Sequence, residues 1–302
     1  MILELKKIRL TTLEAGQIKA YESLALPSAL FLLQRPQTED GYSVAIEARL
    51  GNQLVGLALA EIYYLNQTAQ LFSLFVEEAH RRQGIGLAIF RFLQESLVQE
   101  EAVHAIGFEY EKQAPHAEAL EKILAHVGWM RPKVYLVRCH FDAYAFNPPW
   151  IRSSFRFPPD LTLFKWSELT EREREQILYR QEQGRFLPYL SPFREENIID
   201  YPTSIGLRRN DQIIGWSITH RIDPQTIRYT ALYIDSSFLL SGYGIRLLVE
   251  SIRLHKQLPI PRALFEVNVE EIDPSWLFFV KKRLIPYTDK VERMKWALRI
   301  FV

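Results

Sequence analysis

Val76-Glu77-Glu78-Ala79-His80-Arg81-Arg82-Gln83-Gly84-Ile85-Gly86-Leu87 is the stretch on which the reading of this chain turns. Before it, Leu71-Phe72-Ser73-Leu74-Phe75-Val76 is an apolar run of strand length. After it, Leu87 to Val98 repeats its apolar positions with helical period. The polar turn between them places the backbone N–H groups of Gln83, Gly84, Ile85, Gly86 and Leu87 at an open helix N-terminus. Those donors have no intrahelical acceptor, and the helix dipole adds partial positive charge, so the turn is an anion site. Glycine at 84 and 86 lets a phosphate approach without meeting a Cβ, and Arg81 and Arg82 add charge. A diphosphate suits such a site.

The same order of features recurs later in the chain. Tyr229-Thr230-Ala231-Leu232-Tyr233-Ile234 follows Leu71–Val76 by 158 positions, and Gly242-Tyr243-Gly244 follows Gly84-Ile85-Gly86 by the same interval. Ala263-Leu264-Phe265-Glu266 matches Ala105-Ile106-Gly107-Phe108, and Pro286-Tyr287 matches Gly128-Trp129, again without drift. Gln212-Ile213-Ile214-Gly215 and Gln53-Leu54-Val55-Gly56 match at 159, which needs one residue gained or lost in a hairpin. Periods of about 20–50 residues mark solenoids, so an interval of domain size implies two copies of one globular fold. Each copy reads as a strand, one or two helices, three strands, a helix, a strand, a helix and a final strand such as Lys133 to Phe141. That order predicts a mixed α/β sheet. The Pro-rich segment 143–159, with Asn147-Pro148-Pro149-Trp150 and Phe157-Pro158-Pro159 around Arg152-Ser153-Ser154, reads as a linker. The expected domains are therefore 1–142 and 160–302.

Composition agrees with two soluble domains. The chain has 302 residues, 48% of them hydrophobic and 24% charged, which excludes extended disorder. Lys plus Arg (37) nearly balances Asp plus Glu (36), so the broad positive field of a nucleic-acid binder is missing. A single cysteine, Cys139, excludes an internal disulfide framework and paired-thiolate zinc sites, and it suits a cytoplasmic protein. No membrane span or signal peptide is expected, because the N-terminus mixes charges with its apolar residues. Seven histidines without paired spacing give no support for a metal site. The run Glu171-Arg172-Glu173-Arg174-Glu175 reads as a solvated helix face. Segment 186–194, aromatic and proline-bearing, reads either as a packed connector or as the lining of a substrate cleft between the domains.

The Arg81–Gly86 turn resembles the acyl-CoA-binding motif of the GNAT superfamily of N-acyltransferases, an Arg-x-x-Gly-x-Gly run at a helix start after a strand. The resemblance extends over most of residues 1–142, including Gly128-Trp129 where the family usually has Gly-Phe. It lacks the Gly-Lys-Ser/Thr ending of a P-loop and the third glycine of a dinucleotide fingerprint. The resemblance implies that the diphosphate of acetyl-CoA rests on the N–H groups of residues 83–87. It also implies that Phe75 and Val76 offer backbone partners to the pantetheine amides. In the second copy Leu239-Leu240 replaces Arg81-Arg82, and Tyr243 adds bulk, so that copy is expected to serve structure or specificity.

The implied chemistry is direct attack of an amine on a thioester, which needs positioning, a proton acceptor and a donor to the leaving thiolate. No covalent nucleophile is needed, and Cys139 reads as a buried strand residue. The tyrosine that serves many relatives as acid is replaced by Leu124, with Lys282 in the second copy, and the asparagine upstream of it is replaced by Ala117. Tyr110, His116 and His126 are the substitutes. Glu61, Glu109 and Glu111 are the candidate bases, with Glu109 and Glu111 on one strand face opposite Tyr110 if the strand continues that far. Acceptors remain open among small-molecule and peptide amines, as does the acyl length. Two other readings stand beside the enzyme: a non-catalytic acyl-CoA sensor, and a structural or interaction protein built from degenerate domains. Gly84→Asp sets a carboxylate against the bound diphosphate and should abolish acetyl-CoA binding in calorimetry, whereas Gly242→Asp should leave it nearly unchanged. Equal losses would contradict the assignment of the working turn.

Overall fold

Between Gly41 and Val76 the apolar runs become an antiparallel meander. Strands β2 (Gly41–Leu50) and β3 (Gln53–Tyr63) are joined at Gly51, whose φ of +59° supplies the left-handed turn. Strand β4 (Thr68–Val76) pairs with β3, and β1 (Leu3–Arg9) pairs with β2. The computed structural model describes residues 2–152, 157–239 and 241–301, without the side chain of Ala15. Ser153 and Ser154 of the expected linker, and Leu240 of the second glycine turn, lie outside the described residues.

The chain divides into two units, Met1–Tyr135 with Arg293–Val302, and Leu136–Glu292. In the first, α1 (Ala15–Glu22) and α2 (Leu30–Gln34) cover one face of the sheet. Leu32, Leu57 and Leu59 are fully buried there with Tyr21. On the other face lies α3 (Ile85–Glu101), whose Ile85, Ile89, Phe90, Leu93 and Leu97 recur at helical spacing and pack on Val44, Ile46 and Leu71. Full burial of each such side chain contributes roughly 1.5–3 kcal/mol. Strand β5 (Ala105–Glu111) pairs in parallel with β4, and α4 (Ala117–His126) adds Leu124 to the same core.

The second unit repeats this plan with β7 (Leu161–Lys165), α5 (Glu171–Glu182), β8 (Ile205–Arg209), β9 (Gln212–Asp223) and β10 (Thr226–Ile234). It continues through α6 (Tyr243–His255), β11 (Arg262–Asn268) and α7 (Pro274–Phe279), the last followed by a π-helical turn over Val280–Leu284. Helix α5 does not present its whole charged run to solvent. Glu173 is buried, closes a capping box with Thr170 and binds Arg208 at 2.5 Å. The expected solvated face is corrected at that residue, and the Thr170-x-x-Glu173 spacing was its signal. Among the described residues no helix is long and apolar enough to cross a membrane.

The boundary expected at residue 142 is not where the units divide. Strand β6 (Lys133–Asp142) pairs antiparallel with β11 through Leu136–Asp142 and so belongs to the second unit. Its counterpart β12 (Lys290–Ile300) pairs with β5 through Met294–Ile300 and completes the first. Side-chain fit explains the exchange. Arg138 in β6 meets Glu266 at 2.6 Å, where β5 would offer Phe108. Trp296 in β12 lies over Gly107, where a Cβ would stand 2.3 Å from its ring, and β11 has Phe265 at that position. Cys139 is buried beside Phe265.

This exchange makes the end of the chain part of the first core. Ala297 is 1% exposed and opposite Phe108. Ala297→Asp buries an unpaired charge and should destabilise the first unit by about 3 kcal/mol or more in urea unfolding. Hydrogen exchange should lose protection in Ala105–Glu111 and keep it in Arg262–Asn268.

Candidate functional site

Strand β4 carries one residue more than its partner. Leu59 faces Ser73 and Ala60 faces Leu71, so Phe72 is the extra residue of a β-bulge. Pairing of β4 with β5 covers Thr68–Leu71 against Ala105–Phe108, and the strands then diverge along Phe72–Val76 and Glu109–Glu111. The bulge bends β4 away from β5 and opens a cleft in the sheet. Strand β10 has the same device. Tyr229 faces Thr219 and Ala231 faces Ile218, so Thr230 is the extra residue, 158 positions after Phe72.

The glycine turn lies at the open end of β4. Arg82 and Gly84 both hold positive φ, +61° and +82°, and Gly84 caps α3 in the left-handed conformation. The first backbone bond back to the cap runs from Ala88 N–H to Gly84 C=O at 3.0 Å, so the N–H groups of Ile85, Gly86 and Leu87 have no intrahelical acceptor. Gln83, Gly84 and Arg82 are exposed. A Cβ on Gly84 would meet nothing within 4 Å, so its requirement is conformational. Gly86 instead lies over the core, where a Cβ would stand 3.4 Å from Ile123 and 3.6 Å from Val76.

The two arginines separate in role. Arg81 donates from Nε to the Val76 carbonyl at 2.9 Å, places Nη1 3.1 Å from His116 Nε2, and lies 5.5 Å from the Phe75 ring centroid. It ties the turn to the strand. Arg82 extends into solvent. Glu77 donates its N–H to Val55 at 2.9 Å, and alternation then turns the polar groups of Phe75 to β3 and those of Leu74 and Val76 to the cleft. The expected backbone role of Phe75 is thereby corrected: it supplies a ring beside Arg81, and Leu74, which sequence reading passed over, supplies open backbone groups.

Strand β5 runs to Glu111, and the alternation expected along it holds. Tyr110 faces the α3–α4 core with Phe108. It is 8% exposed, and among the described residues its hydroxyl meets no partner at full hydrogen-bond geometry, with the Glu121 carboxylate nearby. Burial, followed by the nearby Glu121 carboxylate, pushes its pKa well above the ordinary tyrosine value. Glu121 itself is held at 2.6 Å by Lys295 and titrates below the usual carboxylate range, its burial outweighed by that lysine. Glu109 and Glu111 face the other side, and Glu109 accepts a hydrogen bond from the Tyr135 hydroxyl. Glu61 is buried opposite Gln70, in the paired part of β4. Burial and the Glu61 charge push Tyr63 up to about 12.

Leu124, where a tyrosine was sought, is fully buried in the core. His126 is exposed in the last turn of α4, and His116 stands at its N-cap position without a side-chain capping bond. Gly128 has φ +75°, and Trp129 packs on Phe90 at 5.1 Å and donates to Gln94. In the second unit Gly242 repeats the left-handed cap with φ +80°. There, however, Ser241 Oγ accepts the Tyr243 N–H at 3.2 Å, and the Tyr243 ring packs on Phe157 and Phe238.

Residues 10–122 match the family model described as the acetyltransferase (GNAT) family. No curated protein matches the chain by sequence. Among solved structures, a tandem GNAT protein from the clavulanic acid biosynthesis pathway is similar, with a TM-score of 0.58 and 13% identity over 98% of both chains. A GCN5-related N-acetyltransferase from Sphaerobacter thermophilus gives 0.56 and 13%, covering 99% of this chain and 95% of that one. A glucosamine N-acetyltransferase region of a fungal multi-domain β-N-acetylglucosaminidase gives 0.66 and 15%, covering 99% of this chain and 38% of that one. At these identities the likeness is one of fold. Residues 10–122 thus carry the GNAT family match, and the fold of the chain is that of two tandem GNAT-like domains.

The arginine geometry yields a separation of effects. Arg82→Gly relieves left-handed strain of roughly 1–2 kcal/mol at the cost of about 0.5–1 kcal/mol of chain entropy. Stability should change by less than about 1 kcal/mol, while acetyl-CoA affinity falls about tenfold with the lost charge. Arg81→Ala removes the tie to Val76 and should lower affinity and thermal stability together; calorimetry and thermal unfolding read the two.

Proposed function

We propose that the chain is an acetyl-CoA-dependent N-acetyltransferase in which the first unit carries the reaction and an amine is the acceptor. The observation that carries this reading is the Gly84-capped N-terminus of α3 at the mouth of the β4–β5 cleft, with its N–H groups open and Arg82 exposed beside them. The diphosphate would rest on the N–H groups of Gln83–Leu87, and the pantetheine arm would enter the cleft along the backbone of Leu74 and Val76. The second unit keeps the backbone turn, but it has lost both cations and given one N–H to Ser241.

Acid and base then lie on opposite faces of one strand. Glu109 accepts the proton of the attacking amine from one side, directly or through water, and Tyr110 donates to the departing thiolate on the other, with the thioester in the gap between. Glu61 sits in the paired part of the strands and serves instead to hold Tyr63 neutral. The raised pKa of Tyr110 keeps its proton in place through the neutral and mildly alkaline range, which suits a donor.

Thiol release from acetyl-CoA across a panel of small and peptide amines tests this reading. Tyr110→Phe should lower kcat about 100-fold with the KM for acetyl-CoA little changed, as removal of a general acid does. Glu109→Gln should lower kcat at neutral pH by a comparable factor. Binding of acetyl-CoA with no release above the uncatalysed rate for every amine would replace the enzyme by a sensor.

A further inference from the structure

The second unit contains a cavity of about 810 Å³ that the glycine-turn reading does not use. It lies where β10 and β11 part after Tyr229 and Phe265, and every residue that lines it belongs to Leu136–Leu284. Six consecutive residues of β10, Tyr229–Ile234, border it, so it extends about 15 Å along that strand. Phe141 of β6, Leu248 and Ile252 of α6, Phe265 of β11 and Trp276 of α7 supply apolar walls. Phe186, Tyr189 and Leu190 close it from the aromatic loop, so segment 186–194 lines a cavity of its own unit rather than serving as a plain connector. The volume falls within the ~300–1,000 Å³ of small-molecule sites.

Two chemical features select the occupant. The charges bordering the cavity are largely engaged within the protein: Arg228 holds Glu195 at 2.7 Å, Arg138 holds Glu266 at 2.6 Å, and Asp273 caps α7 through Ser275. Arg185, Arg194 and Glu271 are exposed at the rim, in water. A charged group taken into the interior would find no free counter-charge and would lose its hydration. Ser217, in contrast, is 2% exposed and lines the cavity, so it sets an uncharged hydroxyl into the otherwise apolar wall. A ligand with a hydrogen-bonding group at that point avoids covering the hydroxyl with apolar atoms alone. A CoA-like ligand is disfavoured, because the adjoining turn has leucines in place of arginines and Ser241 occupies the Tyr243 N–H.

We propose that this cavity is a binding site for a neutral, elongated, predominantly apolar small molecule carrying one hydrogen-bonding group that meets Ser217. The site is separate from the acetyl-transfer reading and stands whether or not the first unit turns over. Its occupant threads the gap between β10 and β11 with its apolar body against the aromatic walls.

The full chain is titrated with N-phenyl-1-naphthylamine, an uncharged probe that fluoresces in apolar surroundings, and the bound probe is displaced by decanol, decanoate or decylammonium. The expected result is one saturable site, indifferent to acetyl-CoA, from which decanol displaces the probe at least tenfold better than either charged analogue. Ser217→Ala should keep probe binding and weaken decanol about fivefold or more. Leu248→Trp, which fills the cavity, should abolish probe binding, with circular dichroism and urea unfolding showing that it is folded. Absence of saturable binding, displacement by acetyl-CoA, preference for a charged analogue, or unchanged binding in folded Leu248→Trp would each overturn the proposal. If Leu248→Trp does not fold, the Ser217→Ala comparison decides: decanol binding equal to wild type overturns the assignment.

Discussion

One extra residue in β4 governs the first unit. A regular β4 would stay paired with β5 along its whole length, and the sheet would offer neither an open edge nor a gap. With Phe72 bulged, pairing of β4 with β5 stops at Leu71 and Phe108, and the backbone groups of Leu74 and the N–H of Val76 turn toward the cleft, the Val76 carbonyl being taken by Arg81. The glycine turn gains its meaning from that divergence, since it stands where β4 ends. Tyr110 and Glu109 gain theirs as well, because both lie beyond the last residue of β5 that pairs with β4. The bulge at Thr230 does the same for β10 and makes room for the cavity of the second unit.

The two copies share backbone geometry and differ in what their side chains do with it. Gly84 and Gly242 hold nearly the same φ, and the bond from Glu77 to Val55 has its counterpart from Asp235 to Ile214 at 2.7 Å. In the first copy Arg81 is spent on holding strand to turn, so Arg82 is the cation left at the helix mouth. In the second, Leu71 has become Tyr229, whose hydroxyl lies 3.0 Å from His255 Nδ1. The other ring nitrogen, Nε2, lies 3.0 Å from the Ile260 carbonyl and must therefore carry the proton, which leaves Nδ1 to accept from Tyr229. Burial lowers the His255 pKa and keeps the ring neutral in that arrangement. The same frame thus supports an electropositive mouth in one unit and a buried polar network beside an apolar cavity in the other.

The exchanged strands show how pairing is chosen when two similar edges are available. Hydrogen bonding alone does not distinguish β6 from β12, since either presents the same ladder to β5 or β11. Side chains do: Trp296 needs the space over Gly107, and Arg138 needs the carboxylate of Glu266. The cost of the alternative would be a ring without room and a half-buried cation without a partner.

Much of this was legible in order along the chain, because the signals are local. Strand, turn and helix from Leu71 to Val98 follow from apolar period and glycine placement, and the interval of 158 residues discloses the duplication. The common face of Glu109 and Glu111, opposite Tyr110, follows from a period of two. What the sequence alone could not decide depends on contacts between distant stretches. The destination of β6 and β12 rests on pairs more than a hundred residues apart, the loss of Phe75 as a backbone partner rests on the phase of the β3–β4 ladder, and the walls around Ser217 come from four strands, two helices and a loop. Local pattern specifies which elements form; which edge, face or cavity each of them meets is a packing outcome, settled only when side chains far apart in sequence compete for the same space.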